Sequence, residues 1–164
     1  MIVLGLDPGL AIVGYGVIDI EGNRLSYVNH GCVYTTPDMS MPERLDKVYD
    51  GVVELIETYK PEVISIEELF FAKNAKTAIN VAHARGVMLL ACRKKGVKML
   101  EFTPRQVKQA VAGYGAGDKK QIQYMVKVLL NLKEIPKPDD AADGLALAIT
   151  YAHVAHNSKS FVIK

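Results

Sequence analysis

The chain has 164 residues, a length that predicts one domain with a core of its own. Hydrophobic residues make up 49% and charged residues 23%, which excludes a disordered chain, and two cysteines, Cys32 and Cys92, exclude a disulfide scaffold. The net charge of +2 is unevenly placed: residues 1–72 carry 4 Lys/Arg against 12 Asp/Glu, and residues 73–133 carry 13 against 2.

Residues 2–7, Ile-Val-Leu-Gly-Leu-Asp, form a continuous apolar run ending in a carboxylate, the pattern of a strand covered on both faces. Asp7-Pro8-Gly9 breaks it. Residues 14–20 and 24–34 read as two further strands around the turn Glu21-Gly22-Asn23, which predicts an antiparallel meander. Pro42 opens a helix to Lys60, whose buried face is Leu45, Val48, Val52, Leu55 and Ile56, and Pro61 stops it. Residues 62–67 are a short strand ending in Glu67, and residues 69–74 a loop with two aromatics. A long helix runs over 75–95, closed by Gly96. Residues 97–102 form the fifth strand. Thr103-Pro104 caps a helix over 105–112, Asp118 caps one to Leu132, and the last helix runs from Asp139 to His156. The expectation is one α/β domain over 1–157, a mixed five-stranded sheet with helices on its faces, and a frayed tail over 158–164.

The first residues contain no basic leader, so no signal peptide is expected. The most apolar stretch, residues 144–156, carries two histidines and is too short to span a bilayer. No membrane contact and a cytoplasmic location are expected.

Asp7 and Glu67 each end a strand, and ligands of open α/β sheets bind beyond such ends. Asp140 and Asp143 are three apart at the start of a helix and project from one face. Each acid alone has an ordinary structural reading, as a turn former at Asp7 or a helix-start anion at Asp140 and Asp143. Together, four carboxylates with no His or Cys at ligand spacing point to a hard divalent cation, Mg²⁺ or Mn²⁺. Two such ions can support phosphodiester cleavage. His153 and His156 read as residues of a helix C-terminus more readily than as ligands. The basic middle suggests a polyanion partner, although its lysines could be spread around solvated helices or face an acidic protein.

Several ordered motifs carry a resemblance. They are Leu6-Asp7-Pro8-Gly9 with Gly14-Tyr15-Gly16-Val17-Ile18, and Ile66-Glu67-Glu68-Leu69-Phe70-Phe71-Ala72-Lys73-Asn74. Ala84-Arg85-Gly86-Val87, Arg105-Gln106-Val107-Lys108-Gln109 and Asp140-Ala141-Ala142-Asp143-Gly144-Leu145-Ala146 complete the set. On these the chain resembles the bacterial RuvC Holliday junction endonucleases over nearly its whole length. The resemblance implies a ribonuclease H-like fold, a homodimer joined largely by the long helix, and action on four-way junction DNA beside the RuvA–RuvB branch-migration complex. It implies a magnesium-dependent endonuclease with two Mg²⁺ per site, Mn²⁺ being a possible substitute, held by Asp7, Glu67, Asp140 and Asp143. The aromatic that probes the junction centre falls on Phe70, with Phe71 its packing neighbour. Basic residues needed for binding or cleavage fall on Lys108 and Lys119. Lys73, Lys76, Arg85 and Lys120 of the basic span are further candidate DNA contacts. One departure is Gly144, where many members carry Ala, a change that costs helix propensity.

Other readings remain open on sequence: another nuclease of the same fold acting on RNA–DNA hybrids, a junction-binding protein without catalysis, or a nucleotide-binding kinase or ATPase echoed by Gly5-Leu6-Asp7-Pro8-Gly9. For the last, one 164-residue domain is too short for the two-lobed class.

Overall fold

The structure, a computed structural model, describes residues 1–69, 75–155 and Ile163. Three strands, β1 (Ile2–Asp7), β2 (Ile12–Glu21) and β3 (Arg24–Tyr34), form the expected antiparallel meander. There follow α1 (Met41–Tyr59), β4 (Val63–Glu67), α2 (Ala75–Lys94), β5 (Lys98–Phe102), α3 (Pro104–Ala112), α4 (Lys119–Leu129) and α5 (Asp139–Thr150). The sheet order is β3-β2-β1-β4-β5, with β4 parallel to both β1 and β5.

The helix starts follow local chemistry. Ser40, Thr103 and Asp118 each accept from a backbone N–H three residues on, and Glu43, Gln106 and Gln121 return the bond to the cap N–H. Each box satisfies two backbone donors that a helix start would otherwise leave unpaired. The box sets α1 one residue earlier than Pro42, which becomes the second helical position. Its end is a left-handed Lys60 before Pro61. α4 ends at Leu129, short of the expected Leu132, because the chain turns through a left-handed Asn131. α5 ends at Thr150 and continues as a π-helical turn, Tyr151–Ala155, where an α-helix to His156 is expected from sequence. In the tail expected to fray, Ile163 is described, and its N–H points at the Met99 carbonyl at 3.3 Å.

Two apolar layers sandwich the sheet. One holds α1 and α2 against Leu4, Leu6, Val17, Ile64 and Ile66; the other holds α3, α4 and α5 against Val3, Ile18, Val63, Leu100 and Phe102. The alternation follows from the pleat, which sends successive side chains to opposite faces. Residues 3, 5 and 7 of β1 therefore face α5, as do 63, 65 and 67 of β4.

On that face α5 lies against bare backbone. A Cβ on Gly5 would stand 1.9 Å from the Gly144 carbonyl oxygen, one on Gly16 2.3 Å from the Leu145 nitrogen, and one on Gly144 2.5 Å from the Tyr15 carbonyl carbon. Gly144 therefore has a packing role besides its cost in helix propensity. It allows the approach of α5 to β2, where glycine is tolerated for its missing side chain. Ser65 on β4 is fully buried and donates to the Leu147 carbonyl at 2.7 Å, a second tether between sheet and helix.

No helix among the described residues is long and apolar enough to cross a membrane. Both cysteines are free; Cys92 is buried in the α2 layer, where burial pushes its thiol up to about 12.

Candidate active site

Leu6 is in register with Ile66 across the parallel β1–β4 pair. The next residues, Asp7 and Glu67, leave the two strands side by side and face α5. Asp143 comes to meet them from the second turn of α5, held at that depth by the glycine contacts. Asp7, Glu67 and Asp143 line one cavity of about 220 Å³ together with Lys108 of α3 and Lys119 of α4. Val107, Ile122 and Leu147 form its apolar wall. Asp140 lies one turn earlier on α5 and does not line this cavity, but its charge acts on Asp7.

The electrostatics of the cluster are those of crowded acids. Burial, then the charges of Glu67, Asp143 and Asp140, push the Asp7 carboxyl up to about 8. Burial and Asp143 raise Glu67, against the pull of Lys108 and Lys119. Asp143 is also raised, by burial foremost, although Lys119 opposes this with its charge and a hydrogen bond. Desolvation and like charge both disfavour the ionised form, so the pocket calls for positive charge.

Lys119 supplies some of it. Its Nζ lies 3.2 Å from Asp143 Oδ2 and 3.6 Å from Asp139 Oδ2, with the side chain 53% exposed. Burial lowers the Lys119 ammonium, but the acids of α5 outweigh that and leave it raised. Among the described residues no group of three acids, histidines or cysteines forms a ready metal cage. The donor set nevertheless fits a hard divalent cation. It offers carboxylate oxygens only, three of them converge on one cavity, and their raised protonation marks missing cationic charge.

The other expected contacts are scattered. Lys76 is exposed in the first turn of α2. Lys120 is exposed in the first turn of α4, beside a hollow lined by Tyr114 and Tyr124. Phe70, Phe71 and Lys73 lie outside the described residues, as does His156. His153 is exposed and places Nδ1 2.8 Å from the Ala110 carbonyl, away from the acid cluster.

Arg85, read from sequence as a DNA contact, is only 15% exposed and is engaged within the chain. Its Nε donates to the Glu67 backbone carbonyl at 3.2 Å, and its Nη2 pairs with Glu101 Oε2 at 2.6 Å. Sequence reasoning gives Glu101 no part at all. The available signal was its isolation: with Asp118, it is one of two acids in an otherwise basic span.

An antiparallel meander extended by two parallel strands, with helices on both faces and acids at the central strand ends, defines a ribonuclease H-like fold. The family profile described as "Crossover junction endodeoxyribonuclease RuvC" matches residues 3–151. Chains of that name are 55% identical over 152 residues in Desulforamulus reducens, covering 93% of each chain, and 52% identical over all 164 residues in Alkaliphilus oremlandii, covering both chains fully. The structure of Thermus thermophilus RuvC in complex with Holliday junction substrate superimposes with a TM-score of 0.93 at 34% identity, covering 99% of each chain. The chain belongs to the RuvC family of crossover junction endodeoxyribonucleases. Nucleases of this family depend on a divalent metal.

Proposed function

We propose that the chain resolves four-way DNA junctions by paired, symmetric nicks near the crossover, leaving 5′-phosphate and 3′-hydroxyl ends. The observation that carries this reading is the meeting of Asp7, Glu67 and Asp143 in one cavity flanked by Lys108 and Lys119. Asp7, Glu67, Asp140 and Asp143 are the residues that would hold Mg²⁺, two ions per site, with Mn²⁺ a substitute. Bound there, the metal supplies an activated water and charge stabilisation at the scissile phosphate.

The chain's own groups do the rest. Lys119 pairs with Asp143 in the free protein and, were a cation held by the acids, would be available to face phosphate. Lys108, on the other wall, contacts the scissile strand. The basic span, with Lys73, Lys76 and Lys120, follows the phosphate backbones of the arms. Phe70 enters the junction centre, so Phe70→Ala slows junction cleavage more than Phe71→Ala. A homodimer with two-fold symmetry sets two such sites on opposed strands of a nearly two-fold junction. RuvA–RuvB as partners and a cytoplasmic location belong to the same reading.

The test is cleavage of a synthetic mobile four-way junction, with linear duplex and RNA–DNA hybrid controls, with and without Mg²⁺. Paired metal-dependent nicks on the junction alone support it. Cleavage of the hybrid instead replaces the substrate, and tight binding without nicking in Mg²⁺ or Mn²⁺ leaves a junction-binding protein.

A further inference from the structure

We infer that Arg85 is a positioning residue that fixes Glu67 through its backbone, and that Glu101 orients Arg85 for this task. The inference rests on the junction-cleavage reading and deepens it.

The register with β1 ends at the Leu6–Ile66 pair, one residue short of Glu67. On the other side, the Glu68 N–H donates to the Phe102 carbonyl at 2.9 Å. The Glu67 carbonyl thus lies where the ladder to β1 has run out, and Arg85 Nε donates to it. A backbone carbonyl in so enclosed a place needs a partner, and its partner here comes from a helix.

Arg85 sits next to the buried Ala84 on α2, in the layer opposite α5. Glu101 alternates with Leu100 and Phe102, which face the α5 side, and so projects toward α2. It meets Arg85 Nη2 at 2.6 Å. The planar guanidinium therefore spans two adjacent parallel strands at their C-terminal ends, a carbonyl of β4 at one corner and a carboxylate of β5 at the other. The Glu67 side chain emerges on the far face into the acid cavity. With 15% exposure and both contacts made, its guanidinium is poorly placed to serve as a phosphate ligand.

The test uses Arg85→Gln, Arg85→Lys and Glu101→Gln in the full chain. Three quantities are measured: junction affinity in EDTA, the half-point of Mg²⁺ binding to the free protein (its dissociation constant, fitted to the logarithmic rise of the thermal midpoint with Mg²⁺), and single-turnover cleavage of bound junction across Mg²⁺ concentrations. Arg85→Gln is expected to leave junction affinity unchanged and to raise the Mg²⁺ half-point about 10-fold in both titrations, as loss of a residue that orients a metal ligand does. Arg85→Lys falls between, because an ammonium does not hold carbonyl and carboxylate in one plane. Glu101→Gln shifts in the same direction by less. Lost junction affinity with unchanged Mg²⁺ half-points would make Arg85 a phosphate contact and overturn the inference. A lowered thermal midpoint with unchanged Mg²⁺ half-points would make it merely structural and overturn it equally. If the wild-type chain itself does not nick junctions, the function reading fails, while the thermal titration still reads what Arg85 does to Glu67.

Discussion

A Cβ placed on Gly14 would stand 1.8 Å from the Asp140 carbonyl oxygen and 2.9 Å from the Asp140 Cβ. Gly14 is paired with Asp7 across β1 and β2. A hydrogen atom at position 14 therefore sets how closely the first turn of α5 approaches the strand that carries Asp7. Gly14→Ala is expected to push α5 outward and to destabilise the fold by about 1–3 kcal/mol, the usual cost of overpacking against rigid neighbours. At this chain length each kcal/mol lowers the thermal midpoint by about 2–4 °C. Metal-dependent cleavage should fall more than the stability loss explains, since the acids of α5 retreat from Asp7. Thermal unfolding and single-turnover cleavage, measured on the same preparation, check both halves.

Asp7→Asn should abolish cleavage and leave junction binding intact. It should also stabilise the metal-free protein. The folded Asp7 carboxyl titrates at about 8, far above its ordinary value of 3.8. A group raised on folding contributes stability that is full below the lower value and lost as pH climbs through the upper one. Metal-free wild type should therefore lose stability between about pH 4 and pH 8, and Mg²⁺ should restore it at the alkaline end. Asp7→Asn should lack this component of the pH dependence. Thermal midpoints across pH, in EDTA and in Mg²⁺, decide the matter; equal slopes in the two proteins count against the assigned environment of Asp7.

Lys119→Met separates charge competition from chemistry. The pair with Asp143 is more than half exposed on the lysine side, so its loss should change stability by no more than about 1 kcal/mol. Removing a cation from the acid cluster should let the free protein bind Mg²⁺ more tightly, seen as a lower half-point in the thermal titration. Cleavage at saturating Mg²⁺ should nonetheless fall about 100-fold, the scale of losing one charged donor at a developing negative charge. Weaker Mg²⁺ binding in the variant would show that Lys119 does not compete for the acids.

Junction affinity should drop steeply with salt, because residues 73–133 carry a net charge of +11. Lys108→Ala and Lys120→Ala should each reduce the slope of log affinity against log salt by about 1 if each neutralises one phosphate. Arg85→Gln should leave that slope untouched. Filter binding over a salt series, in EDTA, provides the comparison.

Some of this was legible in the sequence and some was not, for physical reasons. The ends of β1 and β4 are legible, because each is a short, mostly apolar run that stops at a carboxylate, Asp7 or Glu67. The caps at Thr103 and Asp118 were legible from their side-chain chemistry. The exact start at Ser40 was hidden because Pro42 suits either of the first two helical positions. Periodicity fails on α5, where Ala141 to Thr150 are buried apart from Asp143, so no polar stripe marks its face or its end. The glycines of β1 and β2 look like weak strand residues until a helix is laid on them. Gly144 looks like a flaw in a helix until β2 is placed beneath it. Arg85 looks like one more cation in a basic span, because sequence shows its charge and not the Glu101 carboxylate and Glu67 carbonyl that occupy it.

The three acids that share the cavity come from positions 7, 67 and 143 of 164. Asp143 reaches Asp7 only when α5 is seated on the glycines of β1 and β2. During synthesis, the sheet and the α1–α2 layer leave the ribosome long before α5 does. A partly made chain thus holds an incomplete set of acids and no finished cavity. Seating of one helix therefore ties the candidate site to completion of the fold.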